Sequence, residues 1–305
     1  MFKYTLDNKR YHTLNYYYKN KYGKKTFKVS LNADFSCPNK INGHGCIFCS
    51  RLGSGDFAGD KSKDLTTQFN EVKTIMEKKW PNSYYIGYFQ ANTNTFAPVN
   101  ILKEKYEEIL ALPNVIGLNI ATRSDAITKA CYDYLEELNK KTDLTIELGL
   151  QSMHDNTLKF INRGHDLKNF ENAVKELQKR NIKVVVHIIN GLPNETKEDM
   201  IETAKYLNSL HIDGIKIHML HLIKDTDLAD YYQNNPFHIL TKDEYIDIVI
   251  NQLEVLNENI VIHRITGDPK KEDLIEPTWL LKKFCVLNDI DKEMKKRNTY
   301  QGKKA

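Results

Sequence analysis

Three of the chain's five cysteines fall within thirteen residues, in the run Ser36-Cys37-Pro38-Asn39-Lys40-Ile41-Asn42-Gly43-His44-Gly45-Cys46-Ile47-Phe48-Cys49. The spacing is C-x8-C-x2-C. A C-x2-C pair on a tight turn directs two thiolates at one metal or cluster. Gly43 and Gly45 allow the longer loop to fold back so that Cys37 joins Cys46 and Cys49. Three thiolates without a fourth could hold three irons of a four-iron cluster and leave the last iron open to bind a substrate. Two plainer chemistries fit the same residues. His44 could complete a closed Cys3His zinc site, or the thiols could be buried and inert.

A loop of this kind needs a rigid support, and the surrounding pattern supplies one. A helix over 11–22 and a strand over 27–31 lead into the cysteines. Strands over 84–89, 115–120, 144–148, 183–188 and 214–218 then alternate with helices over 65–80, 99–112, 128–138, 156–179, 196–210 and 242–256. Such alternation predicts an α/β fold, a parallel sheet with helices outside that curls into a partial (βα)6 barrel of the TIM type. Residues 25–257 would form the barrel, 1–24 a basic helical extension, and 258–305 a C-terminal extension with a basic tail.

Polar residues follow each strand: Gln90 after the second, Thr122 to Asp125 after the third, Gln151 and Ser152 after the fourth, Asn190 and Gly191 after the fifth, His218 and His221 around the sixth. Any one of them could be a helix cap or a turn. Together, on the end that carries the cysteines, they predict a site holding a polar ligand over the metal. Only seven of the 44 basic residues are arginine, so a guanidinium is expected where planar, two-pronged geometry is needed. Arg123, Arg163 and Arg264 stand in such polar segments, with Arg163 placed to bind a carboxylate; a structural salt bridge is the plainer role for each.

The chain has 305 residues, 41% of them hydrophobic, and contains no run of eighteen apolar residues. Neither a membrane span nor a secretory signal is read from it, and a cytoplasmic location is expected. Five cysteines, two of them scattered (Cys131, Cys285), make a poor disulfide framework and suit a reducing compartment. The net charge of +4 is uneven: residues 1–30 hold eight Lys/Arg against one acid, and residues 291–305 hold six against two. The middle is therefore acidic. Basic ends could dock a phosphate-rich partner or could be solvated tails, and the interleaved Tyr and Lys of 11–22 could be a core stripe or a stacking surface for RNA.

These residues resemble the radical S-adenosylmethionine (SAM) enzymes, and within them the elongator-type branch. The resemblance rests on the cysteine triad, on Glu147-Leu148-Gly149-Leu150-Gln151-Ser152 with Asn162-Arg163-Gly164-His165, and on Asn190-Gly191-Leu192-Pro193, and it covers roughly residues 25–285. More narrowly, Tyr88-Phe89-Gln90, Ala121-Thr122-Arg123-Ser124-Asp125, Lys216-Ile217-His218-Met219-Leu220-His221 and Gln301-Gly302-Lys303 are similar to a small bacterial family, some of whose members act on the C5 side chain of the wobble uridine in tRNA. The resemblance implies a 4Fe-4S cluster on Cys37, Cys46 and Cys49, with S-adenosyl-L-methionine (SAM) chelating the fourth iron. It implies that Gln151 reaches the ribose, with Glu147 a lesser candidate, that Arg163 holds the methionine carboxylate, and that Phe48 supports the adenine through its backbone. Gln90 and Asn190-Gly191 would complete the pocket, beside Thr122 and Ser152. Flavodoxin or ferredoxin would supply the electron, and substrate would approach the barrel mouth near His218, His221 and Arg264. The longer first cysteine gap fits the elongator-type branch, whereas the acetyltransferase domain of the long elongator proteins is not read here. RNA docking would then fall to the Lys-rich ends.

Overall fold

In the computed structural model, which describes residues 2–5, 8–50, 53, 55 and 57–305, strand and helix alternate as the pattern predicts. In chain order the elements are α1 (Leu14–Tyr22), β1 (Thr26–Leu31), α2 (Pro38–Ile41), α3 (Leu65–Lys79), β2 (Tyr84–Phe89), α4 (Val99–Leu110), β3 (Val115–Thr122), α5 (Lys129–Asn139), β4 (Asp143–Gln151), α6 (Asp155–Phe160), α7 (Leu167–Gln178), β5 (Lys183–Asn190), α8 (Lys197–Tyr206), β6 (Gly214–Met219), β7 (Leu222–Ile223), α9 (Asp227–Asn234), α10 (Lys242–Val255), β8 (Val261–Arg264), β9 (Leu274–Glu276) and α11 (Lys283–Lys296). The sheet runs β1-β2-β3-β4-β5-β6-β8, with every neighbouring pair parallel. A small antiparallel pair, β7 with β9, lies beside it.

Alternation along the strands explains the layers. In β4, Leu144, Ile146, Leu148 and Leu150 are fully buried in the core between sheet and helices, so Thr145, Glu147 and Gly149 point to the inside of the curled sheet. The helices start where short polar side chains can cap them: Asp64, Thr128, Asp166, Thr196, Thr226 and Thr241 each accept a backbone N–H of the first turn, which satisfies donors the helix leaves unpaired.

Two features differ from the sequence reading. First, the sheet has a seventh strand, β8, drawn from the segment read as a C-terminal extension. Its edge and that of β1 do not pair; α1 lies between them, with Thr13 bridged to Ile262 and Tyr18 buried beneath. Second, the basic ends are not free tails. Lys3 pairs with Glu258, Lys21 with Asp143, Arg297 with Asp247 and Lys304 with Glu254, so the acidic middle neutralises them within the molecule. Thr299 and Gln301 are fully buried. The Gln301 amide donates to the carbonyls of Asn257 and Ile260 and accepts from the backbone N–H of His12. Because Asp143 opens β4, this apparatus sits at the N-terminal ends of the strands, opposite the cysteine loop. It encloses a cavity of about 370 Å³ lined by Tyr17, Tyr18, Asp143, Asp213 and His263.

Candidate functional site

The cysteine loop leaves the C-terminal end of β1. Cys37 is the N-cap of α2, whose first residue is Pro38, a position where the missing N–H costs nothing. The loop then turns back: the Gly45 N–H donates to the Asn39 carbonyl (3.0 Å) and the Cys49 N–H to the Cys46 carbonyl (2.9 Å). The segment after α6 braces it. Ile47 N–H donates to the Ile161 carbonyl, Asn162 Nδ2 donates to the Gly45 carbonyl (2.6 Å), and Asn39 Nδ2 donates to the Asn162 carbonyl (2.8 Å). Gly164, at φ +82°, lies so close that a Cβ would stand 2.6 Å from Asn39 Oδ1. Phe48, half-buried, packs with Ile47 against a satellite cluster of Leu158, Ile161, Leu192 and Leu220, so its ring helps to anchor the loop.

Among the described residues, His154, Asp199 and Glu202 alone bring three ligand atoms within 4.8 Å of one another. Cys46 Sγ accepts from Asn39 Nδ2 (3.6 Å) and Arg163 Nη1 (3.8 Å), donors that favour a thiolate there and suit the sulfur of a cluster. Burial pushes the Cys49 thiol up to about 11, so a thiolate there requires the positive charge of bound metal. The cysteines fit a cluster.

At the end of β4, Gln151 adopts φ +76° and folds over Gly149, where a Cβ would stand 2.7 Å from Gln151 Nε2 and 3.0 Å from Arg163 Nη2. Arg163 is buried, with Nε and Nη2 on the Gly149 carbonyl (3.2 and 2.6 Å) and Nη1 3.8 Å from Cys46 Sγ. Nη1 and Nη2 each carry a second N–H beyond these contacts, so the group keeps donors for a carboxylate. Arg123 forms a two-pronged pair with Asp125 (2.9 and 2.7 Å).

Several strand-end side chains are committed within the protein. The Thr122 and Thr95 hydroxyls bond at 2.5 Å, and Thr95 donates on to the Ala126 carbonyl. Ser152 donates to Glu195 and accepts from the His154 N–H, capping the turn into α6. Asn190 and Gln252 exchange amide hydrogen bonds at 2.8 Å in each direction. Their side chains hold the strand-end loops in place. Gly191, at φ +85°, packs its Cα face toward Leu240 and Leu220.

The residues that sequence reasoning missed lie deeper. Glu147 sits inside the barrel, where its carboxylate meets Lys28 (2.8 Å), Lys216 (2.5 Å), His187 (2.8 Å) and Asn119 (2.7 Å). Burial would raise its pKa, but Lys216 and Lys28 outweigh this and hold it well below the ordinary carboxylate range. The same burial pulls Lys216 down to about 7 and His187 to about 4. Lys216 also donates to the Tyr88 hydroxyl, and Lys28 meets His263 Nδ1 at 3.0 Å.

His218 joins this interior group, its ring 5.4 Å from that of His187. His221 instead packs on Gly267, where a Cβ would stand 2.2 Å from its Nε2; that nitrogen is buried without a partner, and burial lowers its pKa to about 4. Arg264 stands at the rim and pairs with Asp268 (3.1 Å), which also holds Lys283.

A half-barrel with three cysteines at the end of its first strand defines a class, and comparison with known proteins agrees: the chain belongs to the radical SAM superfamily, which it matches over residues 37–207, with the radical SAM C-terminal domain matching over 212–296. It is an enzyme of the elongator-type branch, with SAM and a 4Fe-4S cluster as cofactors. It is 48% identical to the Bacillus subtilis protein YtqA over 305 residues, covering 99% of this chain and 95% of that one. It is 26% identical to Elongator complex protein 3 of Saccharomyces cerevisiae over 161 residues, 52% of this chain and 28% of that protein. Among solved structures, the Elp3 of the archaeon Methanocaldococcus infernus superposes with a TM-score of 0.71 at 16% identity, over 91% of this chain and 64% of that one, which shows a shared fold. No helix among the described residues is long and apolar enough to cross a membrane.

Proposed function

We propose that this enzyme modifies the C5 side chain of a wobble uridine in tRNA, with Cys37, Cys46 and Cys49 holding the cluster and Gln151, Gly191, the Phe48 backbone and Arg163 Nη1 holding SAM. When bound, these cofactors supply a carbon-centred radical by reductive cleavage of the sulfonium, with the electron coming from a flavodoxin or ferredoxin. The residues of the chain orient and protect. Gly149 leaves room for Gln151 and Arg163 to lie flat beneath the cofactor, and the satellite apolar cluster around Phe48 keeps water from one side of the mouth.

The observation that carries the reading is the polar interior. Two lysines share one buried carboxylate directly below the mouth, beside His187 and His218. Such a floor suits a hydrogen-bonding substrate group rather than a hydrocarbon. The seam between β1 and β8 is closed by α1, so a substrate reaches this floor from the mouth at the C-terminal ends of the strands, where a macromolecule can present one side chain while its bulk stays outside. Lys216, tuned near neutrality, is placed to exchange a proton with that group. The ion-paired ends contribute little to docking, which is assigned to the mouth rim around Arg264 and Lys283.

Mass spectrometry of tRNA nucleosides from cells lacking the protein tests this. Loss or shift of one C5-substituted wobble uridine is expected, and an unchanged profile overturns the tRNA assignment. Anaerobic reconstitution with about four irons per chain and release of deoxyadenosine from SAM on reduction tests the cofactor chemistry separately.

A further inference from the structure

Arg123 is 4% exposed, and one of its three guanidinium nitrogens, Nη1, is buried with no hydrogen-bond partner among the described residues. Its other two nitrogens are taken by Asp125. A buried N–H of a cation left unmet is costly, and a protein that pins the rest of the group with a two-pronged carboxylate has fixed where that N–H goes. Its surroundings identify the missing acceptor. Nη2 lies 2.9 Å from the Cβ position of Gly164, which itself touches Asn39. Asn39 Nδ2 is 3.6 Å and Arg163 Nη1 3.8 Å from Cys46 Sγ. The thiols of Cys46 and Cys37 are close enough to favour the charge on Arg123. Donors from two loops thus meet at Cys46 Sγ, and Arg123 stands beside them across Gly164 with a donor that lacks an acceptor among the described residues.

We infer that Arg123 donates through Nη1 to sulfur of the iron-sulfur cluster on the side of Cys37 and Cys46, and that with Asp125 it sets the cluster's reduction potential. The inference rests on the cluster assignment and is independent of the RNA substrate. Three thiolates and a four-iron core give a site that is already anionic before it accepts its electron. An N–H donor and a neighbouring positive charge favour the reduced form and raise the potential; the Asp125 carboxylate works against them. Arg123 is a positioning residue whose partner fixes its aim, and the two residues have opposite effects.

The test is an EPR-monitored redox titration of the reconstituted full-length protein, without and with SAM. Wild type must first bind about four irons; failure there refutes the cluster itself, and not this inference alone. Arg123→Gln is expected to keep its iron and shift the midpoint to more negative potential, Arg123→Lys to shift it less, and Asp125→Asn to shift it the other way. If Arg123→Gln fails to retain iron, the opposite shifts of Arg123→Lys and Asp125→Asn still decide the matter. Unchanged midpoints in the iron-loaded variants would show a merely structural role and overturn the inference. So would shifts seen only with SAM present, which would assign the free N–H to the carboxylate of that cofactor.

Discussion

Glu147 has both oxygens occupied by cations and amides inside the barrel, and its side chain is fully buried. Glu147→Gln leaves two ammonium groups sharing no counter-charge, which costs about 3 kcal/mol or more in a buried pair. Urea denaturation should show it; a loss below about 1 kcal/mol would mean that the cations rearrange freely. Gly149→Ala acts differently. The added methyl displaces Gln151 and Arg163, so SAM cleavage should fall about 100-fold while iron content and melting temperature stay close to wild type. Loss of iron in that variant would relocate the cradle to the cluster. At this scale the cysteine spacing marked the loop, while the choice between a cluster and zinc needed the resemblance beside it. The interior lysines were passed over although the signal was present: Lys28, Glu147, His187 and Lys216 interrupt strands otherwise rich in Val, Ile and Leu, and a charge there must face another. Thr122, Ser152 and Asn190 show why strand-end residues are hard to read: short polar side chains there serve caps and turns as readily as ligands.

The C-terminal Gln301 works as a clasp between elements. It joins the loop before β8 to the segment before α1 through three hydrogen bonds. Gln301→Ala strands these buried backbone groups and should cost about 1–3 kcal/mol each way the loop cannot re-pair, read as a lower urea midpoint with SAM cleavage retained. If stability is unchanged, the segment is a tail after all. Strand and helix order was readable because the central strands are short apolar runs of aromatic, aliphatic and β-branched residues and six of the helices open on an Asp or Thr cap. Strand β8 was not read, since four residues, Val-Ile-His-Arg, give periodicity too little length to register. Helix α11 was missed inside a Lys-rich stretch, though Val286, Ile290 and Met294, all fully buried, repeat every four residues.

Across the whole molecule, buried imidazoles set the response to acid. Burial holds His187 and His221 near 4 when folded, against about 6.5 in an unfolded chain. Between those values the unfolded chain binds the protons and the folded one does not, so stability falls as pH drops from 6.5 toward 4. Glu147 acts in the same direction at lower pH: its contribution is complete above the ordinary carboxylate range and is lost as pH falls from there through its depressed folded value. Lys216, drawn down to about 7 from 10.5, adds a further rise in stability between those two values. The melting temperature should therefore decline from pH 7 to pH 5, with a shallower slope in His221→Gln; a flat or inverted profile would show that these rings are protonated in the folded protein. The charge asymmetry between ends and middle was plain in the sequence, but its meaning depended on contacts that composition does not carry. It proved to be cohesion within the fold.

Residues near 10 and near 300 are stitched together, the Arg10 side chain donating to the Thr299 carbonyl and the Gln301 N–H to the Arg10 carbonyl. That adjacency makes the enzyme a natural candidate for circular permutation. A short covalent link across this seam, with new ends opened in an exposed helix-to-strand turn, should yield a rearranged chain whose reactive mouth is untouched, and reporters fused beside the seam would hang well clear of anything the mouth engages.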